Sequence, residues 1–242
     1  MADELEWLGL AGWVLRQEDG PDIAMDPYEP EIVANACDVG IEVFDYRTSA
    51  DTVLVSSLTD RAHSFARAVK GHTEVVNTLD IARGNSSYEV SGKPVYAVRA
   101  AEAPHHPEGP DDNALYCFNA GGLWYLHMGD VGYGLETEEL APFAGRCDVL
   151  FALVGENLTL PLDELEPMIE LLQPTWILPM HYNLPPLSAG MVKLSAFLEK
   201  RSRDPVVHVR SSRVELPLPR LSQERPTIVV LEPSGYEPSE LN

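Results

Sequence analysis

The feature that most constrains this 242-residue chain is a series of short apolar segments that end abruptly in polar residues. TVLVSS at 52–57 and DVLFALVG at 148–155 are two of them. Short runs rich in β-branched and aromatic side chains, bounded by turn residues, predict buried β-strands. The chain reads as two strand-rich halves, each followed by helical segments. This order predicts an α/β fold with two sheets packed face to face and helices on the outer surfaces.

Length and composition favour a single domain. A chain of this length with 45% hydrophobic residues can bury a sizeable core, and no low-complexity linker interrupts it. We therefore expect one domain over residues 1–232. The segment SGYEPSELN at the C-terminus has the composition of a frayed end, so residues 233–242 are expected to form a tail.

Several segments between the strands carry specific structural signals. DRAHSFARAVKG at 60–71 has helical composition and a terminal glycine. PLDELEPMIELLQP at 161–174 predicts a helix with an acidic first turn, and AGMVKLSAFLEKRSR at 189–203 predicts another. ALYCFNAGGLWYLHMGD at 114–130 predicts two strands joined by a Gly-Gly turn.

The charge of the chain excludes some classes of partner. There are 17 basic and 38 acidic residues, a net charge of −21, which opposes binding to nucleic acids or anionic membranes. The start of the chain, MADELEWLGL, is acidic where a secretory signal would be basic, and no apolar run is long enough to cross a bilayer. We expect a cytoplasmic protein with a small molecule or a protein as its unidentified partner. The oligomeric state stays open.

Polar residues recur at the ends of predicted strands in four places. They are SSLTDRAH at 56–63, PHHP at 104–107, HMGD at 127–130 and PMHYN at 179–183. Strand ends that converge on one rim commonly build a functional site.

Several segments between residues 5 and 232 resemble the metallo-β-lactamase superfamily. They include WLGLAGWVL at 7–15, IAMDP at 23–27, TVLVSS at 52–57, WYLHMGDVGY at 124–133 and IVVLEP at 228–233. The branch that they resemble includes L-ascorbate-6-phosphate lactonase. The most specific part is CDVLFALVGENLTLPLDELEPMIELLQPTWILPMHYN at 147–183. The resemblance implies a four-layer αββα sandwich of two mixed sheets with outer helices, and a centre for two metal ions.

The family's His-x-His-x-Asp-His motif is not retained. Laying this motif after the strand TVLVS places Ser57, Thr59, Arg61 and Ala62 at its four ligand positions. None of the four is a good zinc ligand at such a site. A one-residue slip would bring Asp60 and His63 to the rim instead, although the alternative for His63 is a place on a helix face. Leu10 also stands where related sequences often carry histidine.

Other family ligands are retained. By resemblance, Asp130 corresponds to the aspartate that bridges the metals, His181 to the final histidine, and His105 or His106 to an earlier histidine. Taken alone, Asp130 could be a turn residue and His181 a buried structural histidine. If a metal binds, these residues predict a weak site, because each metal position keeps two protein ligands.

Three functions follow from this residue set, and whether the protein is an enzyme stays open. The first is a binding protein with an eroded metal site and no cofactor, in which Arg61, Ser57 and Thr59 contact the ligand. The second is a hydrolase that uses one zinc or other divalent ion and acts on a lactone or phosphoester. The third is metal-free catalysis with Asp130 and His181 as an acid–base pair.

Overall fold

The structure is a computed structural model that describes residues 3–37, 45–102, 112–157, 159–184 and 190–234. Two large mixed sheets dominate it. The first sheet has six strands in the order β16-β1-β2-β3-β5-β7. Its strands are β1 (Glu4–Gly9), β2 (Gly12–Arg16), β3 (Ile23–Met25), β5 (Thr52–Val55), β7 (Glu74–Asn77) and β16 (Arg213–Glu215).

The second sheet has seven strands in the order β10-β11-β12-β13-β14-β17-β15. They are β10 (Tyr96–Ala101), β11 (Asp112–Ala120), β12 (Leu123–His127), β13 (Val149–Leu153), β14 (Trp176–Met180), β15 (Val206–His208) and β17 (Thr227–Val230). Two further pairs of short strands are β4 (Thr48–Ser49) with β6 (Val69–Lys70), and β8 (Glu89–Val90) with β9 (Lys93–Pro94). The helices are α1 (Pro30–Cys37), α2 (Thr78–Ala82), α3 (Thr137–Leu140), α4 (Leu162–Leu172) and α5 (Leu194–Lys200).

The burial of alternate residues in the first sheet explains its layers. In β5, Leu54 joins the apolar core shared with the second sheet, whereas Val53 and Val55 join a smaller cluster with Val33 of α1. Successive strand residues point to opposite faces, so this sheet is apolar on both sides. Buried residues of α4 and α5 belong to the larger core. The predicted α/β architecture with two mixed sheets is therefore confirmed.

The predicted hairpin is also present. β11 and β12 pair antiparallel, with Ala120 opposite Leu123. Gly121 and Gly122 have φ angles of +55° and +85°, which is the backbone of a tight turn that matches the twist of its strands. The helix predicted at 161–174 is α4, and the helix predicted at 189–203 is the shorter α5.

The helix predicted over residues 60–71 is wrong. Residues 61–63 form turns, a short 3₁₀ turn spans Ala66–Ala68, and β6 follows. The backbone N–H of Phe65 donates to Pro27 O at 2.7 Å, and Glu29 N–H donates to Arg61 O at 3.0 Å. These bonds tie the segment to the residues after β3, and so its peptide groups are satisfied without a continuous helix.

The start of the predicted tail contacts the first sheet. Ser234 N–H donates to Trp7 O at 2.7 Å, so the start of the predicted tail is bound to β1. Residues 235–242 lie outside the described residues. Within the described ranges, no helix combines the length and apolar character that crossing a bilayer requires.

Candidate metal centre

Four strand ends meet at one rim of the two sheets. β3 and β5 of the first sheet lead into Asp26 and Ser56, while β12 and β14 of the second lead into the segments that carry Asp130 and His181. All four side chains are buried. The predicted convergence of strand ends on one site is therefore present in the structure, except that residues 103–111, with His105 and His106, lie outside the described residues.

His63 and Asp130 form the central contact of the site. Nε2 of His63 lies 3.0 Å from Oδ2 of Asp130, and the two residues are 3% and 4% exposed. Burial alone would lower the pKa of His63, but the carboxylates of Asp130 and Asp60 raise it to about 10. Burial would raise the pKa of Asp130, and the His63 imidazolium holds it below its usual range instead. The pair is therefore charged when no metal is bound.

His181 lies beside this pair in a constrained backbone conformation. Its ring stacks on His63 with 5.3 Å between centroids, and its Nε2 is 3.9 Å from Oδ1 of Asp130. The residue has a φ of +54°, and a Cβ added at Gly155 would lie 2.0 Å from its carbonyl oxygen. Burial lowers the pKa of His181, opposed by the Asp130 carboxylate. The absence of a side chain at Gly155 thus leaves room for the His181 carbonyl group, and so for the backbone conformation that places the His181 ring beside Asp130.

His63, Asp130 and His181 fit a divalent ion. One ligand atom from each lies within 4.8 Å of the other two. His63 Nδ1, His181 Nδ1 and Asp130 Oδ1 are buried without a hydrogen-bond partner among the described residues. Two histidines and one carboxylate, with a further position left for water or substrate, form a ligand set found at catalytic zinc sites and at mononuclear iron sites. The donor chemistry and the unpartnered Asp130 Oδ1 both suit a single-metal centre, with the His63 and His181 rings facing Asp130 through Nε2.

A second buried pair, Asp26 and His127, is hydrogen-bonded to the backbone of the segments that carry Ser56 and Asp130. Asp26 Oδ1 accepts from Ser56 N–H at 2.6 Å, and its Oδ2 is 3.4 Å from His127 Nδ1. Gly129 N–H donates to His127 Nδ1 at 3.0 Å, so His127 Nε2 carries the proton donated to Ala11 O at 2.9 Å. Burial lowers the pKa of His127 to about 3 and raises that of Asp26 to about 7.

A small cavity adjoins Asp130. It is lined by Ser56, Ser57, Thr59, Asp60, His63, Glu102, Asp112, Asn113 and Asp130. The hydroxyl groups of Ser57 and Thr59, which the sequence assigned to ligand binding, are 3.2 Å apart and lie on its wall. That assignment stays a prediction.

Arg61 has a different position from the other predicted ligand-binding residues. Its guanidinium pairs with Glu29 and lies over the ring of Phe65, 5.5 Å from the centroid. The Arg61 side chain is 59% exposed. The contact of Arg61 with an anionic ligand stays a prediction, and the partners observed in the structure are Glu29 and Phe65.

The structure brings two further residues, His63 and Glu102, to the site. His63 is buried at the centre rather than placed on a helix face, and the Asp60–His63 slip is the arrangement that reaches the rim. The sequence did not indicate Glu102, because this residue follows a strand and belongs to no motif.

The predicted Asp130–His181 pair is separated by 3.9 Å, whereas Asp130 and His63 are within hydrogen-bond reach. Leu10, at the other altered position, accepts from His181 N–H through its carbonyl group at 3.2 Å.

The model of a family described as the beta-lactamase superfamily domain matches residues 4–181. The chain belongs to the metallo-beta-lactamase superfamily. Among solved structures, a superfamily protein from Thermotoga maritima superposes with a TM-score of 0.66 and 24% identity. The match covers 95% of this chain and 98% of the other, so the two proteins share the fold over almost their whole length.

Two curated relatives are similar to part of the chain. A UPF0173 metal-dependent hydrolase of Pyrococcus furiosus is 33% identical over 89 residues, 36% of this chain and 40% of the relative. A UPF0173 metal-dependent hydrolase of Carboxydothermus hydrogenoformans is 31% identical over 77 residues, 32% of this chain and 34% of the relative. The chain thus matches two fifths or less of the length of these relatives.

Proposed function

We propose that this superfamily member is a hydrolase that uses one divalent metal ion held by His63, Asp130 and His181. The observation that carries the proposal is that one ligand atom from each residue lies within 4.8 Å of the others, with all three side chains buried. Burial of two imidazoles and a carboxylate costs free energy unless their polar atoms are bound. A metal ion would satisfy Asp130 Oδ1, which lacks a hydrogen-bond partner among the described residues.

When bound, such an ion supplies Lewis-acid polarisation of a carbonyl or phosphoryl oxygen and lowers the pKa of water. The protein's own contribution is to orient the three ligands. Gly155 and the left-handed backbone of His181 fix one ring, and the hydrogen bond from Gly129 N–H to His127 fixes the turn that carries Asp130. Orientation of metal ligands by surrounding groups commonly changes metal affinity by 10- to 100-fold.

A lactone or a phosphoester is the proposed substrate class, and this step rests on resemblance to the L-ascorbate-6-phosphate lactonase branch. Two relatives described as metal-dependent hydrolases support the reaction type. Several carboxylates line the cavity, and the chain carries a net charge of −21. These negative charges would repel a negatively charged substrate unless the metal ion balanced its charge.

The alternative function is ligand binding at an eroded site without hydrolysis. It is favoured by Ser57, Thr59, Arg61 and Ala62, which stand at the four positions of the family's histidine motif. Metal-free acid–base catalysis is a second alternative, and the residue within hydrogen-bond reach of Asp130 is His63, at 3.0 Å, rather than His181, at 3.9 Å. Both alternatives require the protein to function without a metal ion.

Metal content and hydrolysis test the proposal together. Protein without an affinity tag is stripped with a chelator, reloaded with zinc, manganese or iron(II), and analysed for bound metal. Turnover is then followed with a panel of lactones and phosphoesters. We expect about one zinc or iron ion per chain and turnover that depends on it. His63→Ala and His181→Ala should each lose the metal and the turnover.

His208→Ala is the matched control, because His208 is an exposed histidine on β15, the last strand of the second sheet, and belongs neither to the metal-ligand group nor to the cavity lining. It should retain metal and turnover. Absence of retained metal in the wild-type protein, or metal retained by both His63→Ala and His181→Ala, would overturn the single-metal centre. Ligand binding without metal or turnover would favour the eroded-site alternative.

A further inference from the structure

We infer that a second cavity, at the opposite end of the strands from the metal centre, binds an aliphatic amine with two or more positive charges. The cavity has a volume of about 610 Å³, which lies in the range of small-molecule sites. Its walls come from both sheets, since Asp3 precedes β1 while Leu123 and Tyr125 belong to β12. None of the proposed metal ligands lines this cavity, so the inference is independent of the proposed function.

The direction of two strands separates this cavity from the metal centre. β12 begins beside the cavity at Leu123 and ends at His127, shortly before Asp130. Four residue steps along a strand measure about 13 Å. β1 likewise starts after Asp3 and ends before Leu10, which contacts the rim of the metal centre. A ligand in the cavity would therefore not touch the proposed metal ligands.

The charge of the cavity wall favours a cation. Asp3 and Asp19 line it, and none of its described lining residues is lysine, arginine or histidine. Oδ1 of Asp3 accepts from Glu18 N–H at 2.8 Å, whereas Oδ2 of Asp3 has no donor among the described residues. A carboxylate in a concave, acidic wall attracts positively charged ligands. An ammonium group would give Asp3 Oδ2 the donor that it lacks.

The hydroxyl group of Tyr125 is a second polar group at this cavity. Tyr125 is 1% exposed, and its ring stacks on those of Phe118 and Phe151, with 5.4 Å and 6.4 Å between centroids. Its hydroxyl forms no hydrogen bond within the described part of the chain, although buried polar groups are nearly always paired. Burial raises the pKa of Tyr125 and the Asp3 carboxylate adds to this effect, so the two groups are close enough to interact. One ammonium group could therefore donate to both.

The apolar part of the wall favours an organic cation over a metal ion. Leu123, Leu216 and Pro217 line the cavity. The backbone N–H of Leu216 donates to Asp3 O at 2.8 Å, which holds this apolar segment beside the acidic one. Methylene groups gain free energy when they leave water for an apolar surface. Ammonium groups joined by a short methylene chain match a wall with these two characters, whereas a hydrated metal ion would use only the carboxylates.

The test is isothermal titration calorimetry of the metal-free protein with 1,4-diaminobutane and spermidine. We expect about one bound amine per chain and an affinity that falls as salt is added. The uncharged 1,4-butanediol and the negatively charged succinate have the same chain length as the diamine and should not bind. Asp3→Asn should weaken amine binding about 10-fold or more, and Tyr125→Phe about threefold or more. Glu199→Gln removes an exposed carboxylate on α5, outside the cavity lining, and should keep wild-type affinity.

Three results would overturn the inference. The first is that neither amine binds the wild-type protein. The second is equal weakening by Asp3→Asn and Glu199→Gln, which would indicate diffuse attraction to the acidic surface. The third is wild-type affinity in both Asp3→Asn and Tyr125→Phe. Tm values of the unliganded variants identify any that do not fold. Because metal content and turnover are measured separately, none of these results decides the proposed function.

Discussion

His63 and Asp130 contact each other at the rim where the two sheets meet, with 3.0 Å between Nε2 and Oδ2 and almost no exposure to solvent. His63 comes from the loop after β5 of the first sheet, and Asp130 from the turn after β12 of the second. The contact therefore joins the two halves of the fold. Removing one partner of a buried charged pair strongly destabilises a protein, since the other charge stays in a medium of low dielectric constant.

Asp130→Asn is expected to destabilise the metal-free protein at pH 6 by about 3 kcal/mol, because it leaves the His63 imidazolium without its partner. The folded-state pKa of His63 is raised to about 10 from 6.5. Its stabilising contribution is thus fully present below pH 6.5 and is lost as the pH rises through 10. The difference between wild type and variant should shrink over that range. Chemical denaturation at several pH values measures it, and a constant difference would contradict the assignment.

The sheets were predictable from the sequence because their signals are local. Short apolar runs rich in β-branched and aromatic residues identified buried strands, and Gly121 and Gly122 identified a hairpin whose turn needs positive φ at both positions. Local composition failed at residues 60–71. Ala, Phe and Arg there favour a helix, but hydrogen bonds to Pro27 O and from Glu29 N–H, both distant in sequence, determine the loop instead.

The candidate site was only partly predictable for the same reason. Asp130 and His181 could be identified through a family motif, but the place of His63 depends on how the loop after β5 folds back onto the segment after β3. Glu102 belongs to no motif, and it lies near Asp130 because β11 pairs with both β10 and β12, the strands that precede these two residues. The sequence carries the residue types of the site, while tertiary contacts select which of them meet.

Gly155→Ala is expected to disturb the site without changing any ligand. The added methyl group would lie 2.0 Å from the His181 carbonyl oxygen, so the backbone on one side must move. We expect a loss of about 2 kcal/mol in stability from the enforced shift, and at least 10-fold weaker zinc binding. Differential scanning fluorimetry and zinc titration measure these effects. Gly20→Ala, where the methyl group meets only the flexible Gln17 side chain, is the control, and equal effects of both changes would contradict the role of Gly155.

His127→Phe is expected to weaken the turn that carries Asp130. The change keeps an aromatic ring in the core but leaves Gly129 N–H and Ala11 O without their partners. Each buried unsatisfied group costs about 1–3 kcal/mol, so with two such groups the free energy of unfolding should fall by roughly 2–6 kcal/mol. Urea denaturation measures this. His208→Phe, at an exposed position, should change stability by less than about 0.5 kcal/mol, and a similar small effect at His127 would contradict the proposed bonds.

Asp26→Asn is expected to stabilise the metal-free protein above pH 7. Burial raises the pKa of Asp26 to about 7 in the folded state, from 3.8, so the folded state binds more protons than the unfolded state between these values. This carboxyl group therefore lowers stability as the pH rises from 3.8 to 7, by at most about 1.4 kcal/mol per pH unit. Asparagine keeps an acceptor for Ser56 N–H but cannot ionise, and its advantage over aspartate should grow with pH and level off above 7. Denaturation of both proteins between pH 4 and 8 tests this, with Asp51→Asn at an exposed site as control. An advantage that falls with pH would mean that the Asp26 carboxylate is stabilised by its neighbours despite its burial.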